Sequence, residues 1–140
     1  MGSKKAETGA SLVEFAVLLP LLVTLLMGII EFGWLFSQHI DVRHGAREGA
    51  RLAATDYGTA TSIINETCDR MDIAGSSTVE VQLGQSGTTI GSVITVTVRS
   101  TPTSLTGLFN AIMPAHLQSS IETRMEQTAG WSAAGFTACP

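Results

Sequence analysis

Few residues in this chain are spaced for chemistry. Cys68 and Cys139 stand far apart, and that spacing matches no zinc or thioredoxin motif. In an oxidising compartment the two can close one long-range disulfide; otherwise one is a buried thiol and the other a free thiol in the tail. His39, His44 and Glu48 invite a metal, but no third ligand position is set by the spacing. No Gly-rich loop sits in a strand–helix context suited to phosphate. Asn65-Glu66-Thr67 fits a glycosylation sequon, a tripeptide common by chance. The eight basic residues are scattered and the net charge is -4, so nothing tracks a phosphate backbone. The expectation is no enzyme, no metal, no cofactor and no nucleic-acid partner. The one charge in a demanding place is Glu14, at the edge of an apolar run, where a carboxylate costs a few kcal/mol (roughly 3) near hydrocarbon unless it has a partner or stays at headgroup level.

The element that positions Glu14 is an anchor. Residues 16–30 carry no charge, and residues 15–36 make ~33 Å of helix at 1.5 Å per residue. That length matches a hydrocarbon core of about 30 Å. Trp34 and Phe36 fall where an interfacial aromatic belt lies. Pro20 removes one backbone hydrogen bond and is expected to kink or loosen the helix. A removable signal peptide would need a small-residue cleavage site after the run, and Glu31-Phe32-Gly33-Trp34 offers none. A buried core helix is disfavoured too, because the rest of the chain is too small and polar to wrap it. Lys4 and Lys5 precede the span and Arg43, Arg47 and Arg51 follow it, so basic residues alone leave the orientation open. The short N-terminal segment and the exported character of the larger part put the C-terminal domain outside the cytoplasm.

The window Lys4-Lys5-Ala6-Glu7-Thr8-Gly9-Ala10-Ser11-Leu12-Val13-Glu14-Phe15 has a basic leader, a Gly, a small residue, then Glu-Phe opening the apolar run. It resembles the cleavage site of type IV prepilins, which implies a cut between Gly9 and Ala10. Gly9 has no side chain and suits a narrow protease subsite. The new amine on Ala10 could pair with Glu14 of a neighbouring subunit, setting register in a low-dielectric filament. Further matches are Ser11-Leu-Val-Glu-Phe-Ala-Val-Leu-Leu-Pro-Leu-Leu, Gly28-Ile-Ile-Glu-Phe-Gly33 and Ala46-Arg-Glu-Gly-Ala-Arg51 with Ala53-Ala54. Together these resemble the TadE-like family, pilin-like proteins (pseudopilins) of tight-adherence, or Flp, pili in bacteria. The resemblance covers about residues 9–54. It implies a prepilin peptidase, other pilin or pilin-like subunits and the lipid bilayer as partners, and the bacterial inner membrane as location. The length argues against the long TadG type and against the short major Flp pilin.

Beyond the span no Pro interrupts residues 32–54, so the helix continues outward. Gly45, Ala46, Gly49 and Ala50 form small-residue ridges at i,i+4 spacing, suited to close packing on a sheet or on partner helices. Arg43, Arg47 and Arg51 form a second ridge, read as a solvated face with Glu48 pairing to Arg51 or His44. Residues 55–58 end the helix. A second helix is expected over residues 61–73, and Gly75-Ser76-Ser77 then breaks the chain. Alternating runs predict strands at 78–83, 92–99 and 116–127, with Gly84-Gln-Ser-Gly87 as a turn. Residues 105–113 read as a short apolar helix, a core lid in preference to a membrane-facing patch. Residues 128–140 read as a loose tail or an interaction segment.

The fold expected is α+β: a long N-terminal transmembrane helix continuing into a small domain with an antiparallel sheet of about three strands. The segments are a leader at 1–9, the transmembrane helix at 10–36, an extended helix at 37–56, the outer domain at 57–127 and the tail at 128–140. The function expected is a pilin-like subunit processed after Gly9 and used in assembling a Tad/Flp-type pilus. The alternative is a membrane-tethered extracytoplasmic binding module outside any filament. A tethered enzyme ranks third. A mere tether has no need of the Gly9–Glu14 constellation.

Overall fold

Apart from Pro20 and scattered glycines, the first third of the chain is rich in good helix formers, and it folds as one helix. The computed structural model describes residues 4–71 and 78–140, with side chains placed from Gly9 onward. The break expected at residues 75–77 and residues 1–3 of the leader lie outside the described residues, whereas the second helix, expected to reach residue 73, already ends at Asp69 with Arg70 as its C-cap. Helix α1 runs Lys4–Ala54, 51 residues and ~77 Å at 1.5 Å per residue. It passes Pro20 as one helix, and the Thr24 hydroxyl donates to the Pro20 carbonyl at 2.8 Å. It stops where Asp56 takes the left-handed conformation at φ 51°, which Asp tolerates better than most side chains. Asp56 is held there by accepting the Gly130 N–H at 2.8 Å.

Helix α2 is Ala60–Asp69. Thr59 caps it, its hydroxyl accepting the Ser62 N–H at 3.2 Å and satisfying one orphan donor of the first turn. Ile63, Ile64 and Thr67 are its buried face.

Four strands follow: β1 Thr78–Gln85, β2 Val93–Thr101, β3 Leu117–Arg124 and β4 Ala134–Ala138. They form one antiparallel sheet in the order β3-β2-β1-β4. Alternation sends Val81 and Leu83 of β1, and Ile94, Val96 and Val98 of β2, to the core face, where all five are buried. Against them lie Val42, Ala46, Ala50 and Ala53 of α1 and Ile63 and Ile64 of α2. The opposite face is tied by cross-strand pairs: Thr97 with Ser120 at 3.0 Å, and Arg99 with Glu80.

Three expectations need correction. The sheet has four strands instead of three, because residues 128–140 are not loose. Residues 134–138 pair with β1, and Trp131 is buried, donating its indole N–H to the Ala53 carbonyl at 3.2 Å. Phe136 carries the Arg99 guanidinium 3.7 Å from its ring centroid. The turn expected at residues 84–87 begins later. Gly84 and Gln85 remain in the ladder opposite Thr95 and Ile94, and Ser86 opens the turn by donating its N–H to Val93. The short apolar helix at residues 105–113 shrinks to one 3-10 turn, Asn110–Ile112, with Leu105, Leu108 and Ile112 exposed. It is therefore no core lid; only Phe109 and Met113 of its large apolar residues are half-buried.

Candidate functional site

The first half of α1 has no core of its own. From Gly9 to Leu26 every residue is exposed, including Gly9, Ala10, Glu14, Phe15 and Pro20. This is the one helix among the described residues long and apolar enough to cross a membrane, and none of its most apolar stretch is buried. Gly9 has open space around the position a Cβ would take. The stretch that carries the prepilin-like spacing therefore stands clear of the head, on helix accessible from all sides.

Contact with the head begins at Gly28 and Glu31. Glu31 is 3% exposed although it continues the apolar run. Its carboxylate accepts the Leu105 N–H at 2.9 Å, the Thr106 N–H at 3.1 Å and the Thr106 hydroxyl at 2.9 Å. One heptad further, Gln38 is equally buried. Its amide donates to the Thr103 carbonyl at 3.1 Å and accepts the Thr103 N–H at 3.2 Å. Residues seven apart share a helix face, so Glu31 and Gln38 stand on the ridge that continues into Val42, Ala46 and Ala50. Neither was singled out as a site from sequence. The available signal was a polar residue at heptad spacing below an apolar ridge, one of the two inside a run that should hold no charge.

The small residues divide the packing of the outer half. Ala46 and Ala50 are buried within the core cluster. A Cβ on Gly49 would lie 2.9 Å from the Thr67 hydroxyl and 3.1 Å from Val96, and one on Gly45 would overlap Met71. Gly45 and Gly49 are thus the clearance that lets α2 and the sheet approach α1, and this small face serves the chain's own fold. Arg43, Arg47 and Arg51 are exposed on the other side. Glu48 binds Arg51 at 3.5 Å and also Arg70 of α2. The Glu66 and Glu48 carboxylates hold Arg70 above its ordinary pKa, with Glu66 the stronger influence. Arg99 likewise holds the Glu80 carboxyl below its ordinary value.

Cys68 and Cys139 are joined by a disulfide with Cα atoms 5.7 Å apart. Cys139 also donates its N–H to Val79 at 2.9 Å, so the bond fastens α2 to the edge of the sheet beside β4. Trp34 is half-buried, whereas Phe36 is exposed. Among the described residues no three His, Cys, Asp or Glu side chains gather into a metal-sized group.

An apolar helix long enough to span a bilayer, continuous with the helix that backs a small antiparallel sheet, is consistent with a single-span anchor bearing an α+β head. Residues 9–51 match the family model of TadE-like proteins, in agreement with the resemblance drawn from the motifs. The matched stretch runs from the Gly of the prepilin-like site to the last turn of α1 and leaves the sheet outside. No curated protein and no solved structure matches the chain.

Proposed function

We propose that this chain is a membrane-anchored, pilin-like subunit of a Tad/Flp-type pilus assembly, cut after Gly9 by a prepilin peptidase and held in the bacterial inner membrane by residues 10–36. The observation that carries the reading is the coincidence of three features on one helix. The family match begins at Gly9, Glu14 follows at prepilin spacing, and residues 9–26 are all exposed. A peptidase needs such free access at the cut, and a filament needs an unoccupied helix to bundle. Glu14 then pairs with the Ala10 amine of a neighbouring subunit, and both charges find partners in a low-dielectric bundle. The disulfide supports a head outside the reducing cytoplasm.

The test is an intact-mass measurement on protein expressed in its own cell or beside a prepilin peptidase. The expected result is loss of residues 1–9 with the span retained, and Gly9→Val is expected to block the cut while leaving membrane insertion unchanged. An uncut chain in peptidase-containing cells favours the tethered binding module. Loss of the first thirty-odd residues as well removes the anchor and the proposal with it.

A further inference from the structure

The segment between β2 and β3 contains no Asp, Glu, Lys or Arg from residue 100 to residue 115. It presents Leu105, Leu108 and Ile112 at 55%, 72% and 67% exposure. In a water-bathed loop this composition is costly, since three large apolar side chains within eight residues stay out of the core.

Its place on α1 is set by two polar anchor points. Gln38 holds Thr103 by two hydrogen bonds, and one heptad toward the N-terminus Glu31 holds Leu105 and Thr106 by three. The loop then descends further, bringing the Phe109 ring 3.7 Å from where a Cβ of Gly28 would stand. Gly28 lies within the uncharged run, about 4.5 Å of helix rise on the membrane side of Glu31. At that level α1 exposes Ile29 and Ile30, so the apolar surfaces of loop and span adjoin.

Irregular backbone at such depth is tolerated only when its polar groups find partners within the protein. Six of the ten backbone amides of residues 104–113 have such partners. Besides the two amides taken by Glu31, the Gly107 N–H is satisfied by the Ser104 hydroxyl at 2.7 Å, and the Leu108 N–H by the Thr106 hydroxyl at 3.3 Å. The Ile112 and Met113 N–H groups donate to Phe109 and Asn110 at 3.0 and 3.4 Å. Reciprocally, the loop supplies the donors that let a carboxylate sit at position 31, where hydrocarbon alone would not accept it.

We propose that residues 104–113 are a membrane-dipping loop: Glu31 latches the loop to the anchor helix, and Leu105, Leu108 and Ile112 enter the acyl–headgroup boundary of the leaflet on the head's side. The loop is a second, shallow attachment. It fixes the height and tilt of the head above the bilayer, where a single helix would leave both free. This inference rests on α1 spanning a membrane and not on the processing or filament roles.

The test uses the full chain in phosphatidylcholine–phosphatidylglycerol vesicles. Both native cysteines are bonded, so a single introduced thiol is the one that takes an environment-sensitive fluorophore. Three sites are compared: Leu108→Cys in the loop, Leu22→Cys in the span and Ile90→Cys in the turn between β1 and β2. The expected result at position 108 is blue-shifted emission, quenching by lipid spin-labelled near the headgroup and protection from aqueous iodide. Position 22 responds to lipid labelled deeper in the chain, and position 90 to iodide alone. Adding Glu31→Ala is expected to shift the position-108 emission to the red and restore iodide quenching, with position 22 unchanged. If position 108 is quenched by iodide while position 22 still responds to lipid, the loop inference fails and the anchor stands. If neither responds to lipid, the anchor reading fails. If position 108 escapes both quenchers until the protein is diluted in lipid, a second copy covers the loop and the lipid assignment is wrong. Unchanged emission in the Glu31→Ala background removes the latch from the proposal.

Discussion

The two halves of α1 are one helix exposed to two different surroundings. Between residues 12 and 26 the large apolar residues surround the axis, and all of them are exposed. Between residues 38 and 54 the buried set is mainly Gly and Ala, with Gln38, Val42 and Leu52, while Arg43, Arg47 and Arg51 stay exposed. An all-round apolar helix finds no adequate partner in one small sheet, whereas a one-sided helix with glycine clearances does. The comparison teaches that the head's stability is built on the second half alone. The first half is left free for lipid or for other helices, and Glu31 marks the junction.

That division can be attacked directly. The largest effect is expected from Trp131→Ala, which empties a buried aromatic site and strips the Ala53 carbonyl of its donor. The head should lose about 3–5 kcal/mol, measured as thermal or denaturant unfolding of the full chain in detergent. A change under ~1 kcal/mol would mean that the C-terminal segment does not close the end of α1. Next comes the pair Cys68→Ser with Cys139→Ser, or reduction of the bond. Opening this long loop should cost about 2–4 kcal/mol by the same measurement.

Third, Gly49→Val drives a branched side chain into Thr67 and Val96. It is expected to destabilise the head by about 1–3 kcal/mol. Gly33→Ala meets nothing within 4 Å and should stay within about 0.5 kcal/mol of the parent. Equal losses from the two would abolish the distinction between the halves.

The smallest effect concerns Glu80. Its folded carboxyl is held below the ordinary value by the hydrogen bond from Arg99. The stabilisation is therefore complete above the ordinary carboxylate range and is lost as pH falls through the lowered folded value. The stability difference between the parent and Glu80→Gln should shrink across that acid window. It should also shrink with added salt, as expected for a partly exposed pair. A difference that grows on acidification has the wrong sign for this pair.

Much of the architecture was legible because its signals are local. The uncharged run announced the span, alternation announced β1, β2 and β3, and the Gly45–Ala50 ridges announced close packing. Residues 128–140 misled because Gly, Ala and Ser weigh little in any local pattern. Pairing along β1 and the pocket for Trp131 come from neighbours distant in sequence. Residues 105–113 misled for the opposite reason. Their apolar pattern is real, but hydrophobicity does not say whether core or lipid covers it.

By itself, then, the sequence determined the anchor, the prepilin-like spacing and most of the strands, since each depends on composition or periodicity within a few turns of chain. Tertiary structure alone decided where Glu31 and Gln38 find partners, which residues complete the sheet, that Arg70 joins Arg51 at Glu48 and that the two cysteines meet. Those are contacts between segments far apart in the chain. A carboxylate or a thiol carries no mark in one dimension of the group that will face it in three.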